Sequence, residues 1–317
     1  MKPNRPFPTH FAISILLIAS LAMHGCKKFQ GDVSTPAFIH IDAVNVTSSG
    51  QGENERIEGW YSSDIDAVQI IALFPGESSQ SVLGTFQLPC HVPVLFDGKA
   101  KYIEIVPVVK QNGIAATRIE YPFLQHIVLN DVDLKSGQVT YLGTADPASG
   151  LHCLEAHYYS PDYIKQEFFE NFEALHTEIH FTHDKVQWIK DDPDGARSGS
   201  SYGLIHTPAD QDGIYFEITD SISVPDPGRI VYLEMDYRTD VEFRIGLRSP
   251  ITSGSADHTL YALSLYPQKE WTKIYVNLSK LWGQMNHYSP FHVVFLTTNT
   301  GHIDGQTRID NVKIITK

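Results

Sequence analysis

From Ala37 onward, apolar and polar positions alternate with a period of two. Ile39 and Ile41 alternate with His40 and Asp42, residues 67–74 and 102–109 form apolar runs, and Gln111, Asn112 and Gly113 make a hairpin-type turn leading into residues 114–121. No window carries a helical stripe, so the segment is expected to fold as short antiparallel strands. Pro107 sits inside one of the runs and predicts an edge strand there, because proline has no N–H for a ladder. Further on, residues 161–173 are expected to hold one short helical turn, after which strand-length segments resume at 214–224, 230–237, 241–247, 259–265, 273–278, 291–296 and 308–315. Within 241–247 the alternation is clean and places Val241, Phe243, Ile245 and Leu247 on a buried face.

The pattern before Ala37 differs. Lys2 and Arg5 precede an apolar stretch at 11–22 that is too short to span a bilayer comfortably, followed by Gly25 and Cys26. This reads as an export signal over residues 1–25 and a polar tether over 26–36, punctuated by Gly31 and Pro36. An ordinary secretion signal followed by an incidental cysteine is the alternative. Gly25 and Cys26, preceded by Leu21, Ala22, Met23 and His24, resemble the lipobox of bacterial lipoproteins. That resemblance implies lipidation of Cys26 as the mature N-terminus and membrane attachment through acyl chains, each buried methylene contributing about 0.8 kcal/mol. Lys27, where an inner-membrane lipoprotein carries Asp, implies the outer membrane, with the body facing either the periplasm or the medium.

Composition narrows the rest. A chain of 317 residues, 42% hydrophobic and 11% aromatic, can bury two ordinary cores. The formal charge of −13 becomes −15 once Lys2 and Arg5 leave with the signal, which argues against nucleic acid as a partner and supplies no basic patch for anionic lipid. The composition break at 144–150 sets the expected division: an N-terminal sandwich over 37–145, a linker over 146–165 and a second domain over 166–317. Of the three cysteines, Cys90 and Cys153 then stand on opposite sides of this boundary, and both a bridge and two buried thiols stay open.

The expected fold class is therefore all-β, with two β-sandwich domains, the first Ig-like. Asn171 to Glu173, Ser198 to Leu204, Glu270 to Leu278 and Arg308 to Ile314, in that order, resemble the galactose-binding-like jelly rolls found in many carbohydrate-binding modules. The segments Phe86 to Leu95, Asn112 to Arg118 and Tyr121 to Phe123 are similar to a group of uncharacterised outer-membrane lipoproteins, a resemblance that brings no activity with it. The jelly-roll resemblance implies a structural Ca2+ held by Glu173 and Asp310, since a hard cation takes oxygen ligands; simple solvated or paired carboxylates are the alternative.

Several local patterns imitate catalysis. Gly199 to Gly203 fits G-x-S-x-G around Ser201, but an acidic turn at 191–195 precedes it and a strand follows, whereas a nucleophile elbow needs a strand before and a helix after. His176, Glu178 and His180 alternate on one strand face near His183; with 15 histidines in the chain this reads as a solvent-face cluster rather than a metal site. For binding, the useful combination is an exposed ring beside polar groups. Trp282 with Gln284, Asn286, His287 and Tyr288, and Trp188 near the acidic turn, form the candidate ligand loops; the opposing reading is that each ring caps a core. These readings make the chain a lipid-anchored envelope protein without catalytic residues, binding a glycan or an envelope protein. The rivals are a structural subunit of an outer-membrane assembly and, behind it, a hydrolase on the same scaffold.

Overall fold

In a computed structural model, the described residues are 35–48, 58–174, 177, 179, 184–218, 221–223, 228–249, 258–285 and 290–317. Cys26, the tether up to residue 34 and the cluster at His176, Glu178, His180 and His183 lie outside them, as do Asn286, His287 and Tyr288. The described chain is all-β apart from one short helix.

The N-terminal sandwich is built from β1 (Ala37–Ile41), β2 (Ala43–Val46), β3 (Ala67–Leu73), β4 (Ser81–Gln87), β5 (Cys90–Val94), β6 (Gly98–Lys110), β7 (Arg118–Glu120), β8 (Ile127–Leu134), β9 (Val139–Tyr141), β10 (Thr144–Ala145) and β11 (His152–Ala156). One layer runs β4-β3-β6-β7 with β8 also on β6; the other comprises β5-β1-β9 and β10-β11-β2. The period-two apolar positions meet between the layers: Ile39 and Ile41 from β1, Val68 and Ile70 from β3, Ile103 and Ile105 from β6. Asp42 separates β1 from β2, and its carboxylate accepts from the His152 N–H at 2.7 Å, tying the break to β11.

Three expectations change here. Because β11 pairs in parallel with β2, the N-terminal sandwich extends through Ala156, beyond the division expected at 145, and Cys153 joins Cys90 in the same sandwich as two free thiols. Pro107 lies on a central strand, not an edge: β8 pairs with β6 up to Ile105, β7 takes over at Val108, and Pro107 fills the gap between the two partners. Its carbonyl accepts from the Tyr121 N–H on that side, so its missing N–H also falls in the gap. The helical turn is confined to Ser160–Ile164, and a strand follows immediately.

The second sandwich comprises β12 (Lys165–Glu170), β13 (Val186–Ile189), β14 (Tyr202–Thr207), β15 (Tyr215–Glu217), β16 (Val231–Thr239), β17 (Glu242–Ser249), β18 (His258–Leu265), β19 (Gln268–Asn277), α1 (Ser279–Gln284), β20 (His292–Thr298) and β21 (Gly305–Thr316). A six-stranded sheet, β13-β14-β21-β16-β19 with β12 also on β21, faces a four-stranded sheet, β15-β20-β17-β18. Phe216, Phe243 and Phe295 stack between them with ring centres 4.8–6.2 Å apart. Each fully buried ring contributes roughly 1.5–3 kcal/mol.

The outward face of the six-stranded sheet is covered by the N-terminal sandwich around Tyr232, Glu234 and Asp236, while Gln187, His206, Arg238 and Arg308 on the same face stay partly exposed. Strand β16 is buried at every position but Arg238. Its alternate residues Tyr232, Glu234 and Asp236 point into the seam, with Lys273 and Tyr275 of β19 and Lys313 of β21. From the other side, Tyr121 and Tyr158 donate to Glu234, Ser62 donates to Asp236, and Lys313 reaches the Trp60 carbonyl at 3.0 Å. Tyr232 packs edge-on to Tyr121 and Phe123. Asn112 (φ +57°) and Gly113 (φ +72°) adopt the left-handed conformation of a type I′ turn and hook onto β19, where the Asn112 N–H donates to the Tyr275 carbonyl at 2.8 Å and the Asn112 side chain accepts from the Asn277 N–H at 2.9 Å. Two lysines offset two carboxylates in the seam and the tyrosine hydroxyls donate to Glu234, while Lys273 Nζ stands 3.6–3.8 Å from the carboxylates without a hydrogen bond to either.

Candidate ligand-binding face

With much of one sheet covered, the outward face of β15-β20-β17-β18 is the more open face of the second sandwich. The residues opposite the buried set Phe243, Ile245 and Leu247 are Glu242, Arg244, Gly246 and Arg248. Register places Tyr215 beside Leu296 and Arg244, and Glu217 beside Val294, Gly246 and Tyr261. Tyr215 and Tyr261 are 40% and 37% exposed, so each offers part of a ring to solvent from opposite edges of the sheet, three strand spacings or about 14 Å apart. Between them Arg248 forms a fork on Glu217, with both bonds at 2.8 Å, and Tyr215 donates to the same carboxylate. Arg244 lies 3.0 Å from Glu242.

Gly246 shapes this face. The register shifts between Ile245 and Gly246, a β-bulge, and a methyl group on Gly246 would stand 2.2 Å from the Leu260 carbonyl and 2.9 Å from the Tyr261 Cα. Only glycine lets β18 approach closely enough to present Tyr261. Burial pushes the Tyr261 hydroxyl pKa up against the pull of Arg244, so the ring keeps a neutral donor over the usual pH range. Burial also pushes Glu217 up, but the Arg248 hydrogen bonds outweigh it and hold that carboxyl below its ordinary value.

The candidates read from sequence fall elsewhere. Trp282 is a correction: it lies on α1, 1% exposed, packed on Phe291 at 4.6 Å within the core of the second sandwich. Helix α1 turns this indole inward to close the end of the core, and an inward ring cannot stack on a ligand. Gln284 is exposed on the last position of α1, facing away from that buried ring. Trp188 is half-buried on the edge strand β13, its indole N–H donating to the Phe172 carbonyl at 2.9 Å and its ring covered by Lys190 at 3.4 Å. Its ring face is therefore already occupied.

Glu173 and Asp310 are brought to one loop, residues 197–201, as clamps. Glu173 accepts from the N–H groups of Ser200 and Ser201, at 2.8 and 2.6 Å, and Asp310 from those of Arg197, Ser198 and Asn311. Burial pushes the Asp310 carboxyl up to about 7 despite those three donors. Calcium takes six to eight oxygens. Here the carboxylates meet backbone N–H donors instead. These donor sets do not fit a calcium cage. Ser201 is buried and leads directly into β14, and Asp192 closes the acidic turn by accepting from the Gly195 N–H and the Tyr202 hydroxyl.

Tyr215, Glu217, Arg244, Arg248 and Tyr261 were not singled out from sequence. The alternation at 241–247 that marks Phe243 and Ile245 as inward also marks Arg244 and Arg248 as sharing one outward face around Gly246, and this was the available signal.

Comparisons with known proteins give no family: no family model matches the chain, and no curated protein matches it. Solved structures do match. They include a family 11 carbohydrate-binding module from Clostridium thermocellum in complex with a β-1,3-1,4-mixed-linked tetrasaccharide, with 15% identity and a TM-score of 0.34 over 48% of this chain and 94% of that one. TmCBM61 in complex with β-1,4-galactotriose matches with 13% identity and a TM-score of 0.29 over 43% and 85%. A family 29 carbohydrate-binding module, in its Asp-to-Ala mutant, matches with 11% identity and a TM-score of 0.32 over 48% and 89%.

Proposed function

We propose that this chain is a lipid-anchored envelope protein that binds a glycan on the open face of β15-β20-β17-β18. The observation that carries the proposal is the pairing of exposed Tyr215 and Tyr261 with the Arg248–Glu217 fork on the one sheet of this sandwich that the N-terminal sandwich leaves uncovered. Sugar rings present C–H faces to aromatic rings and hydroxyls to planar polar groups, and this face offers both across a width suited to an oligosaccharide. Binding rather than bond cleavage is the role the carboxylates support. A general acid for glycoside hydrolysis needs a raised pKa, whereas Glu217 is held low by Arg248. Attachment through Cys26, at the outer membrane on the strength of Lys27, completes the proposal.

The test is retention of the full-length chain, in detergent, on a panel of immobilised polysaccharides. Tyr261→Ala and Tyr215→Ala should each weaken retention on the cognate polysaccharide about tenfold while melting temperature changes little, since both rings are partly solvated. Retention that survives both changes, or an unmodified chain retained by no polysaccharide, overturns the proposal. Labelling with radioactive fatty acid that persists in Cys26→Ala rejects the anchor separately.

A further inference from the structure

The outer surface of β5-β1-β9 carries an arrangement unrelated to the glycan face. His40 of β1 and His91 of β5 are directly opposed cross-strand partners, and their Nδ1 atoms stand 3.5 Å apart. The opposite nitrogen of His40, Nε2, lies 3.0 Å from Asp42 Oδ1. An ionised carboxylate only accepts, so Nε2 carries the His40 proton and Nδ1 is left with its lone pair toward His91. The Asp42 carboxylate is fixed from its other oxygen, which accepts from the His152 N–H at 2.7 Å. Phe38 stacks on His91 with ring centres 4.8 Å apart, and Tyr141 packs edge-on to His40 at 5.0 Å, so both imidazoles are braced from the side. His91 itself is exposed.

We propose that His40 and His91 form a two-histidine site for a borderline divalent transition metal such as Zn2+ or Cu2+, with Asp42 as the carboxylate that positions His40. Nitrogens bound at about 2.0–2.1 Å to a tetrahedral ion stand roughly 3.3–3.4 Å apart, close to the separation seen here. Imidazole suits Zn2+ and Cu2+ better than it suits Ca2+ or Mg2+. A carboxylate on the far nitrogen of a ligating histidine fixes its tautomer and raises its basicity, the role that Asp42 fills. Without metal, His91 Nδ1–H donates to His40 Nδ1. When the ion binds, His91 shifts that proton to its solvent-facing Nε2, so both Nδ1 lone pairs reach the metal and the net proton count is unchanged. Water completes the coordination.

Isothermal titration of the full-length chain in detergent with ZnCl2 and with CuCl2 tests the assignment. One equivalent should bind, and His91→Ala and His40→Ala should each abolish that event or weaken it at least about tenfold. His91 is exposed, so its replacement leaves the fold intact, and an unchanged melting curve in the absence of metal verifies this. Asp42→Asn should weaken binding by about tenfold to a hundredfold, with histidine-proton resonances of His40 showing its tautomer no longer fixed. Full binding in His91→Ala overturns the site, and removal of that binding by His176→Ala with His180→Ala would place it on the other histidine cluster. No binding by the unmodified chain at millimolar metal overturns it equally and leaves the pair as a shared hydrogen bond.

Discussion

Lys313 Nζ stands 3.1 Å from Glu234 Oε2 in the seam between the two sandwiches, and the side chains are 1% and 0% exposed. Glu234 also receives the hydroxyls of Tyr121 and Tyr158, and Lys273 lies 3.8 Å away. Burial pulls the Lys313 ammonium pKa down to about 8, with Glu234 opposing. Removing either partner strands a buried charge, so Glu234→Ala or Lys313→Ala should destabilise the chain by about 3–5 kcal/mol in urea unfolding. A loss below about 1 kcal/mol would mean that the seam admits enough water to behave as surface.

Trp282→Ala should cost about 3–5 kcal/mol, the range for truncating a buried tryptophan. At a temperature where the variant is still folded, its retention on whatever polysaccharide the unmodified chain binds should be unchanged. Lost retention with an unchanged melt would return Trp282 to the ligand loop.

The Asp310 carboxyl gives the pH dependence a defined sign. Its folded value of about 7 lies above its ordinary 3.8, so between those limits the folded chain holds a proton that the unfolded chain has released. Its contribution is full below the ordinary value and is lost as pH rises through the folded one, at a slope of up to about 1.4 kcal/mol per pH unit. Asp310→Asn keeps only one acceptor oxygen for the three N–H groups that now converge on Asp310, and having no proton to exchange it should lose this part of the slope. Unfolding free energies of both proteins across about pH 4 to 8 measure the difference. Parallel curves would show that Asp310 ionises normally in the folded chain.

Much of the second sandwich was legible because its strands obey a simple alternation. The segment at 241–247 declared its inward residues, and its structure matches. The polar half of β16 was not legible in the same way. Glu234 and Asp236 alternate with Leu233 and Met235 as a solvent face would, and nothing local reveals that another sandwich covers them. Pro107 misled because edge and central strands differ in their neighbours, which sequence does not specify, and here a change of partner strand accommodates the ring. Trp282 misled for a related reason: its polar neighbours in sequence suggested a surface loop, but one turn of helix is enough to send a ring inward while Gln284 stays in water. The binding face was hidden for a further reason, since Tyr215, Arg248 and Tyr261 come from three strands and meet only through register.

The hook at Asn112 and Gly113 has a consequence for how the protein behaves in a crowded envelope. Strand β19 ends the six-stranded sheet and would otherwise present its unpaired backbone groups to any passing extended chain. Gln111 and Asn112 occupy that rim at Tyr275 and Asn277, so its C-terminal end cannot template intermolecular strand addition. The N-terminal sandwich thus acts as a built-in guard against aggregation. A chain cut to its second sandwich would expose both a sticky rim and a face of stranded charges, and should precipitate on expression where the intact protein stays dispersed.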